Sequence, residues 1–357
     1  MTTGASGMSP KPEALKCALA CFPVLRSPVV APLAGGLINR TFAVSDDSGA
    51  FVLQRVHPVF SPDIHDNILA VTRALERAGL VTPMLQLTRD GRPFADLRAD
   101  GVWRLMTRIP GTSFAKASRP AQVRSAAALV ACFHAAVQDL KWEFRGVRQG
   151  VHDLAHHLAS LRSALDQHSD HRLHGDVSRL AHRMFSAAER IPKLPLVEAR
   201  VSHGDLKFDN VLFAGEHDDA SERAICLVDL DTVGRMPLHF ELGDAWRSWC
   251  NGKGEDEHHG EFDLKVFAAF LDGYFGSHTV VVSANEREAL LYGVEWISLE
   301  LAARFASDSL CESYFGWDEQ RFPAAGEHNL VRAKGQFALY EATLATRGER
   351  RILLASA

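Results

Sequence analysis

Residues 201–213 read Val-Ser-His-Gly-Asp-Leu-Lys-Phe-Asp-Asn-Val-Leu-Phe, and residues 227–233 read Leu-Val-Asp-Leu-Asp-Thr-Val. Short apolar strands over Val211–Phe213 and Ile225–Val228 flank polar loops here, so the polar side chains sit at strand ends rather than along a helix. Around this island the second half of the chain reads as helix. Expected helices are Pro120–Leu140, with Pro120 suited to the first helical position, Val151–His168, Leu173–Arg190, Leu242–Asn251, Leu264–Phe275, Asn285–Ala306 and Leu330–Thr346. Upstream the text changes character. Pro12–Phe22 reads as a short helix, Thr41–Val44 and Phe51–Val56 as a hairpin, Asp63–Ala78 as a helix closed by Gly79, and Met84–Leu87 and Val102–Ile109 as two more strands. Pro110-Gly111 then breaks the pattern. The expectation is an α+β chain of two lobes, a small β-rich one over 1–108 and a larger, mostly helical one over 109–357, with residues 1–11 frayed.

The polar island carries chemistry. His203-x-Asp205-x4-Asn210 has the spacing of a phosphoryl-transfer loop, in which the Asp accepts the proton of the attacking hydroxyl and the Asn holds a magnesium ion. Asp229, at the end of an apolar strand, is placed to be the second metal ligand. Phosphoryl transfer needs little covalent chemistry but much positioning and charge neutralisation, and an amide oxygen, a carboxylate and a free carboxylate base meet that need. Lys207, two residues beyond the base, can reach the transferring phosphate. A second His-Gly-Asp, at residues 174–176, has Ala181 where the Asn should stand and lies in helix-like text, so it reads as a decoy.

Composition narrows the partners. In 357 residues, 46 % are apolar, 23 % charged, and 39 Lys+Arg against 44 Asp+Glu give a net charge of −5, which is ordinary globular usage. No Lys/Arg block of the kind that binds phosphate backbones is present, so nucleic acid is not an expected partner. No apolar run reaches the roughly 18 residues of a membrane span, and the opening residues lack the pattern of a signal peptide. A cytoplasmic protein without a membrane partner is expected. Six scattered Cys make no CxxC pair and are expected to be reduced and mostly buried. The pairs His156/His157 and His258/His259 are expected on solvated surface, and Gly252–Gly260 as an exposed loop. Trp246 and Trp249 flank Arg247 on a helix, where core packing is favoured over a stacking platform for a sugar ring.

With these residues in place, HGDLKFDNVLF and LVDLD resemble the aminoglycoside phosphotransferase and choline kinase family of small-molecule kinases. GGLINRTFAV, FVLQRVHPVF, RVSHGDLKFDNVLF, VDLDTV and EHNLVRAKGQ further resemble the bacterial N-acetylhexosamine 1-kinase branch, over about Leu33 to Phe337. The resemblance implies a protein-kinase-like fold and use of ATP and Mg2+. It implies Asp205 as catalytic base, Asn210 and Asp229 as Mg2+ ligands, and Asp231 as a further acid near metal or substrate. It also implies Arg304 and Tyr314 on a sugar, with Asp308 between them, and Glu241 bracing the catalytic loop, a role that Asp244 shares.

On the nucleotide side the expected residues are Gly35, Gly36, Asn39 and Thr41, with Gln54 or Arg55 on the strand where many kinases place a Lys. Alternation puts Gln54 and Arg55 on opposite faces, so only one can point at the phosphates. The following helix offers Asp66 and Asn67 in place of the usual Glu partner. The activity implied is ATP-dependent phosphorylation of a hydroxyl on a small polyhydroxylated acceptor, foremost the anomeric hydroxyl of an N-acetylhexosamine. Another acceptor, such as an aminoglycoside, choline or an amino alcohol, stays open, as does a nucleotide-binding pseudokinase, for which the missing strand Lys speaks.

Overall fold

A computed structural model describes residues 12–33, 39–147, 150–276 and 279–357. Gly35 and Gly36, and the frayed start expected over 1–11, lie outside the described residues. The first part holds α1 (Pro12–Ala20), β1 (Val29–Pro32), β2 (Arg40–Asp46), β3 (Gly49–Val56), α2 (Ile64–Arg77), β4 (Ala95–Asp96) and β5 (Val102–Thr107). The strands form one antiparallel sheet in the order β1-β2-β3-β5-β4.

Alternation gives this sheet two different faces. Phe51, Leu53, Trp103 and Leu105 bury one face against Ala14, Ala18 and Phe22 from α1 and the turn after it. On the other face the register sets Gln54 opposite Arg104. Met84–Leu87 is not a strand. Only Leu85 bridges to Met106, because Pro83 removes a donor and the segment runs along β5 with few ladder bonds.

The second part begins with β6 (Thr112–Ser113), α3 (Pro120–Val137), α4 (Leu154–Gln167) and α5 (His174–Ala188). It continues through β7 (Ala199–Ser202), β8 (Val211–Phe213), β9 (Ala224–Leu227) and β10 (Gly234–Pro237) into α6 (Leu238–Trp249) and α7 (Leu264–Gly276). It ends with α8 (Ala284–Cys311), α9 (Ala325–Ala345) and α10 (Arg347–Ser356). Helix α8 is held at its start by a capping box of Ser283 and Glu286 and runs five residues past the expected end at Ala306. Strands β7 and β10 pair with each other, and β6, β8 and β9 form a small sheet. The chain is therefore a β-sheet lobe joined to a helical lobe, the α+β arrangement of a kinase-like fold.

Trp246 and Trp249 are buried edge-on against Phe267 and Phe270, so they are core. The cysteines are free, but only Cys226 and Cys250 are buried, against the expectation. Cys17 is exposed because α1 turns Ala14 and Ala18 to the sheet, and Cys311 lies at the exposed end of α8. His258 and His259 are exposed, whereas His157 is half-buried beside Glu300.

Candidate active site

Strand β7 delivers the motif into the cleft. Gly204 has φ +86° and a Cβ there would lie 2.4 Å from the Thr232 carbonyl oxygen, so both backbone angle and space require glycine. His203 is buried; its Nε2 donates to the Val228 carbonyl at 3.0 Å, and burial lowers its pKa. Glu241 from α6 accepts from the His203 and Gly204 amides at 2.7 and 3.0 Å, and lies 3.4 Å from His134 Nε2. His134 Nδ1 in turn meets the Tyr274 hydroxyl at 2.8 Å. Trp249 Nε1 donates to the Leu206 carbonyl at 2.7 Å. Glu241 is thus the brace, while Asp244 pairs with Arg247 at 2.9 Å and does not share that role.

The reactive groups converge at the loop. Asp205 Oδ2 is 3.0 Å from Lys207 Nζ, and Asn210 Nδ2 donates to the Asp205 carbonyl at 2.8 Å and to its carboxylate at 3.3 Å. The Val228 amide donates to the Asn210 backbone carbonyl at 2.9 Å, which seats the next residue, Asp229, beside Asn210. Asp229 adopts φ +66°, a left-handed backbone that a non-glycine residue holds only where the surroundings enforce it. Burial, then the charges of Asp231 and Asp205, push its carboxyl up to about 7 against the pull of Arg104 and Lys207. Burial also raises Asp205, helped by Asp244 and opposed by Lys207. Lys207 is raised although burial works against it, because Asp205 lies so close.

This donor set fits a magnesium ion. A hard cation takes oxygen ligands from one or two protein groups and completes its shell with phosphates and water. Asn210 and Asp229 offer that, and the surplus of buried negative charge that lifts Asp229 is what a cation relieves. Among the described residues no group of three or more His, Cys, Asp or Glu forms an all-protein metal cage.

Asp231 differs from the expectation. Its Oδ1 pairs with Arg104 at 2.5 Å and its Oδ2 accepts from Asn39 Nδ2 at 2.7 Å, so both oxygens are engaged away from metal or substrate. Gln54 Oε1 accepts from Arg104 Nε and Nη2 at 2.9 and 2.7 Å, and its Nε2 donates to Thr41 Oγ1 at 3.1 Å. Arg55 lies on the opposite face with its guanidinium over Gly101, so it leaves the phosphate site. Asp66 is exposed, and Asn67 holds Trp142 and Arg145. The residue of α2 that faces Arg104 and Asp231 is His65, buried and lowered to about 4 by burial and then by Arg104. Arg104 escaped sequence reasoning; its only signal is a charged residue within an apolar strand.

A second cluster lies on α8, α4 and the turn before α4. Glu300, buried, sits 3.1 Å from His152 Nδ1, 3.6 Å from His157 Nε2 and 3.5 Å from Arg304 Nη1. Arg304 also lies over the ring of Phe315, which packs edge-on with Tyr314. The cluster reaches the loop through Asp244, whose carboxyl, despite burial, is lowered by Arg247 and also by His152 and Lys207. Asp308 does not face a ligand. Its oxygens accept from the amides of Ser313, Tyr314 and Phe315 at 2.8–3.0 Å and from Asn329 Nδ2 at 3.0 Å, so it shapes the turn that carries Tyr314. The second His-Gly-Asp opens α5, where Asp176 pairs with Arg179.

A model of the phosphotransferase enzyme family matches residues 29–277, which include every residue of the loop and its braces. The chain belongs to that family. Family members of this kind are small-molecule phosphotransferases, and this chain is one. Similar solved structures include an aminoglycoside phosphotransferase from Alicyclobacillus acidocaldarius subsp. acidocaldarius DSM 446, 15 % identical with a TM-score of 0.59, covering 97 % of this chain and 99 % of that one. A microcompartment-associated aminopropanol kinase is 17 % identical with a TM-score of 0.62, covering 95 % and 99 %. An amicoumacin kinase solved with AMP-PNP and Ca2+ is 12 % identical with a TM-score of 0.61, covering 93 % and 94 %. At these identities the phosphotransferase shares their fold. No helix among its described residues is long and apolar enough to cross a membrane.

Proposed function

We propose that this phosphotransferase uses ATP to phosphorylate a hydroxyl of a small, uncharged, polyhydroxylated acceptor, foremost the anomeric hydroxyl of an N-acetylhexosamine. ATP as donor goes with a cytoplasmic location. The fold neighbour solved with AMP-PNP and Ca2+ supports use of a nucleotide together with a divalent cation. Mg2+ held by Asn210 and Asp229 supplies charge neutralisation at the β- and γ-phosphates when bound. Asp205 orients the acceptor hydroxyl and accepts its proton, the role for which a raised carboxyl beside a lysine is suited. Lys207, within 3.0 Å of that base, stabilises charge on the phosphoryl group in transfer.

The observation that carries the acceptor class is charge pairing. Asp205 has Lys207, Asp244 has Arg247, and Glu300 has Arg304 and His152. A polycationic acceptor needs unpaired carboxylates, and a quaternary ammonium needs an aromatic cage. A polyol instead uses donors and acceptors side by side, which paired charges provide. Arg304 and Tyr314 are proposed to hydrogen-bond the sugar. A coupled ADP-release assay over N-acetylhexosamines, free hexoses, aminoglycosides, choline and amino alcohols tests this. Turnover confined to N-acetylhexosamines is expected. Turnover on cationic acceptors alone overturns the acceptor class, and nucleotide binding without turnover on any acceptor supports a pseudokinase.

A further inference from the structure

The strand lysine that many kinases aim at the phosphates is absent, and its strand position, Gln54, is occupied at both ends of its amide by Arg104 and Thr41. Arg104 itself does not reach a ligand, because its side chain is 2 % exposed. It points across the cleft. Nε and Nη2 are fixed on Gln54, which leaves Nη1 to meet Asp231 Oδ1 at 2.5 Å. The other oxygen of Asp231 takes Asn39 Nδ2 at 2.7 Å, and Asn39 Oδ1 accepts from the His57 amide at 2.9 Å. Two residues of the sheet lobe, Asn39 just before β2 and Arg104 in the middle of β5, therefore meet on one carboxylate of the other lobe, each held from β3 or its end by Gln54 or the His57 amide.

That carboxylate sits in a tight 3-10 turn, Leu230–Thr232, directly after the left-handed Asp229. At the far end of the turn Thr232 Oγ1 donates to the His203 carbonyl at 3.0 Å. We infer that Arg104, Asp231 and Asn39 form an interlobe strut that sets the Asp229 turn, and through Thr232 the catalytic loop, under the nucleotide. Arg104 and Asp231 are positioning residues, and the strut ties the sheet lobe to the turn that carries Asp229. A buried ion pair adds little net stability over a packed apolar pair, whereas removing one partner is severe, so its worth here is geometric. The inference rests on the reading of Asn210 and Asp229 as the nucleotide-metal site.

The test compares Arg104→Gln, Asp231→Asn and the double variant Arg104→Gln/Asp231→Asn with the wild type. ATP affinity is measured by calorimetry with and without Mg2+, together with kcat, the acceptor KM and the melting temperature. Each single variant should weaken Mg2+-ATP binding by roughly 10- to 100-fold while the acceptor KM moves little. The double variant should be no worse than either single, since removing both charges leaves no unpaired buried charge. Additive losses in the double variant overturn the strut. So does a loss on Asp231→Asn confined to Mg2+-containing buffer while Arg104→Gln is silent, which would make Asp231 a metal ligand. Equal losses for both substrates that follow the melting temperature reduce the pair to core packing and overturn it too. A wild type that binds no nucleotide overturns the functional reading and the strut together, and is distinguishable because no variant is then needed.

Discussion

Replacing Glu241 by Gln changes one atom type at the point where α6 holds the catalytic loop. The carboxylate is 1 % exposed and accepts two backbone amides, from His203 at 2.7 Å and Gly204 at 3.0 Å. A carboxamide has one acceptor oxygen, so one of those amides must face an NH2 group and loses its partner. A buried unsatisfied donor costs about 1–3 kcal/mol, and the surviving bond falls from a charge-assisted one to a neutral one, about 1 kcal/mol more. The total is about 2–4 kcal/mol of stability. Asp205 follows Gly204 directly, so a loop that shifts to rescue the orphan amide moves the base, and a displacement of about 1 Å can lower turnover roughly 100-fold. Urea unfolding and steady-state kinetics on the same preparations measure both effects. A variant with the wild-type unfolding midpoint and kcat would show that the loop is held by something other than Glu241, and the geometry of α6 would lose its functional meaning.

Asp205→Asn should keep nucleotide affinity within a few-fold while kcat falls by about two to four orders of magnitude, and near wild-type kcat would remove Asp205 as the base. Gly204→Ala should unfold well below the wild-type temperature, because a Cβ would meet the Thr232 carbonyl at 2.4 Å in a backbone with φ +86°. Arg304→Ala should lower kcat/KM for the acceptor by about 10- to 100-fold with the ATP KM unchanged; parallel loss for both substrates with a lower melting temperature would mark it as the ion-pair partner of Glu300 alone. For His239, burial and then the charge of His152 lower the pKa to about 4 from 6.5. The unfolded chain therefore binds the proton first on acidification. Stability is full above about pH 6.5 and falls by about 3 kcal/mol towards pH 4, and His239→Gln should flatten that slope in urea titrations.

The catalytic half of the site is legible in the sequence because it is local. His203, Asp205, Lys207 and Asn210 lie within one loop, and the β9 strand that precedes Asp229 pairs with the β8 strand that follows Asn210, so spacing alone reports their geometry. The existence of the helices is legible for the same reason, whereas the end of α8 and the start of α9 depend on packing and lie about a turn beyond where periodicity alone puts them. Roles set by distant partners are not legible. Asp231 reads as a ligand-facing acid, yet its partners Arg104 and Asn39 lie 127 and 192 residues away, and nothing local shows that its oxygens are engaged; Asp308 is engaged by the nearby amides of Ser313, Tyr314 and Phe315, whose turn has no sequence signal. The choice between Gln54 and Arg55 needs the register of β3 on β5.

The stretch EHNLVRAKGQ, residues 327–336, has no counterpart in the catalytic loop, and its placement on α9 explains what it does. His328 and Arg332 both meet Asp256, at 3.0 and 2.6 Å, and Arg332 also donates to the Gly316 carbonyl at 2.7 Å. Asn329 holds Asp308, which shapes the turn of Tyr314. Gly335 has no room for a Cβ, which would lie 2.0 Å from the Glu257 carbonyl oxygen, and Gly260 stands as close to Leu339. The loop over 252–260 is exposed, as expected, and is laid along α9, carrying Glu255 to within 3.1 Å of Arg247, the partner of Asp244. Helix α9 touches neither Asp205 nor Asp229 in any of these contacts, yet it fixes both the Tyr314 turn and the 252–260 loop. The motif loop is held by α6 through Glu241 and Trp249, and the Tyr314 turn and the 252–260 loop by α9 through His328, Asn329 and Arg332, so the two sets of contacts come from different helices.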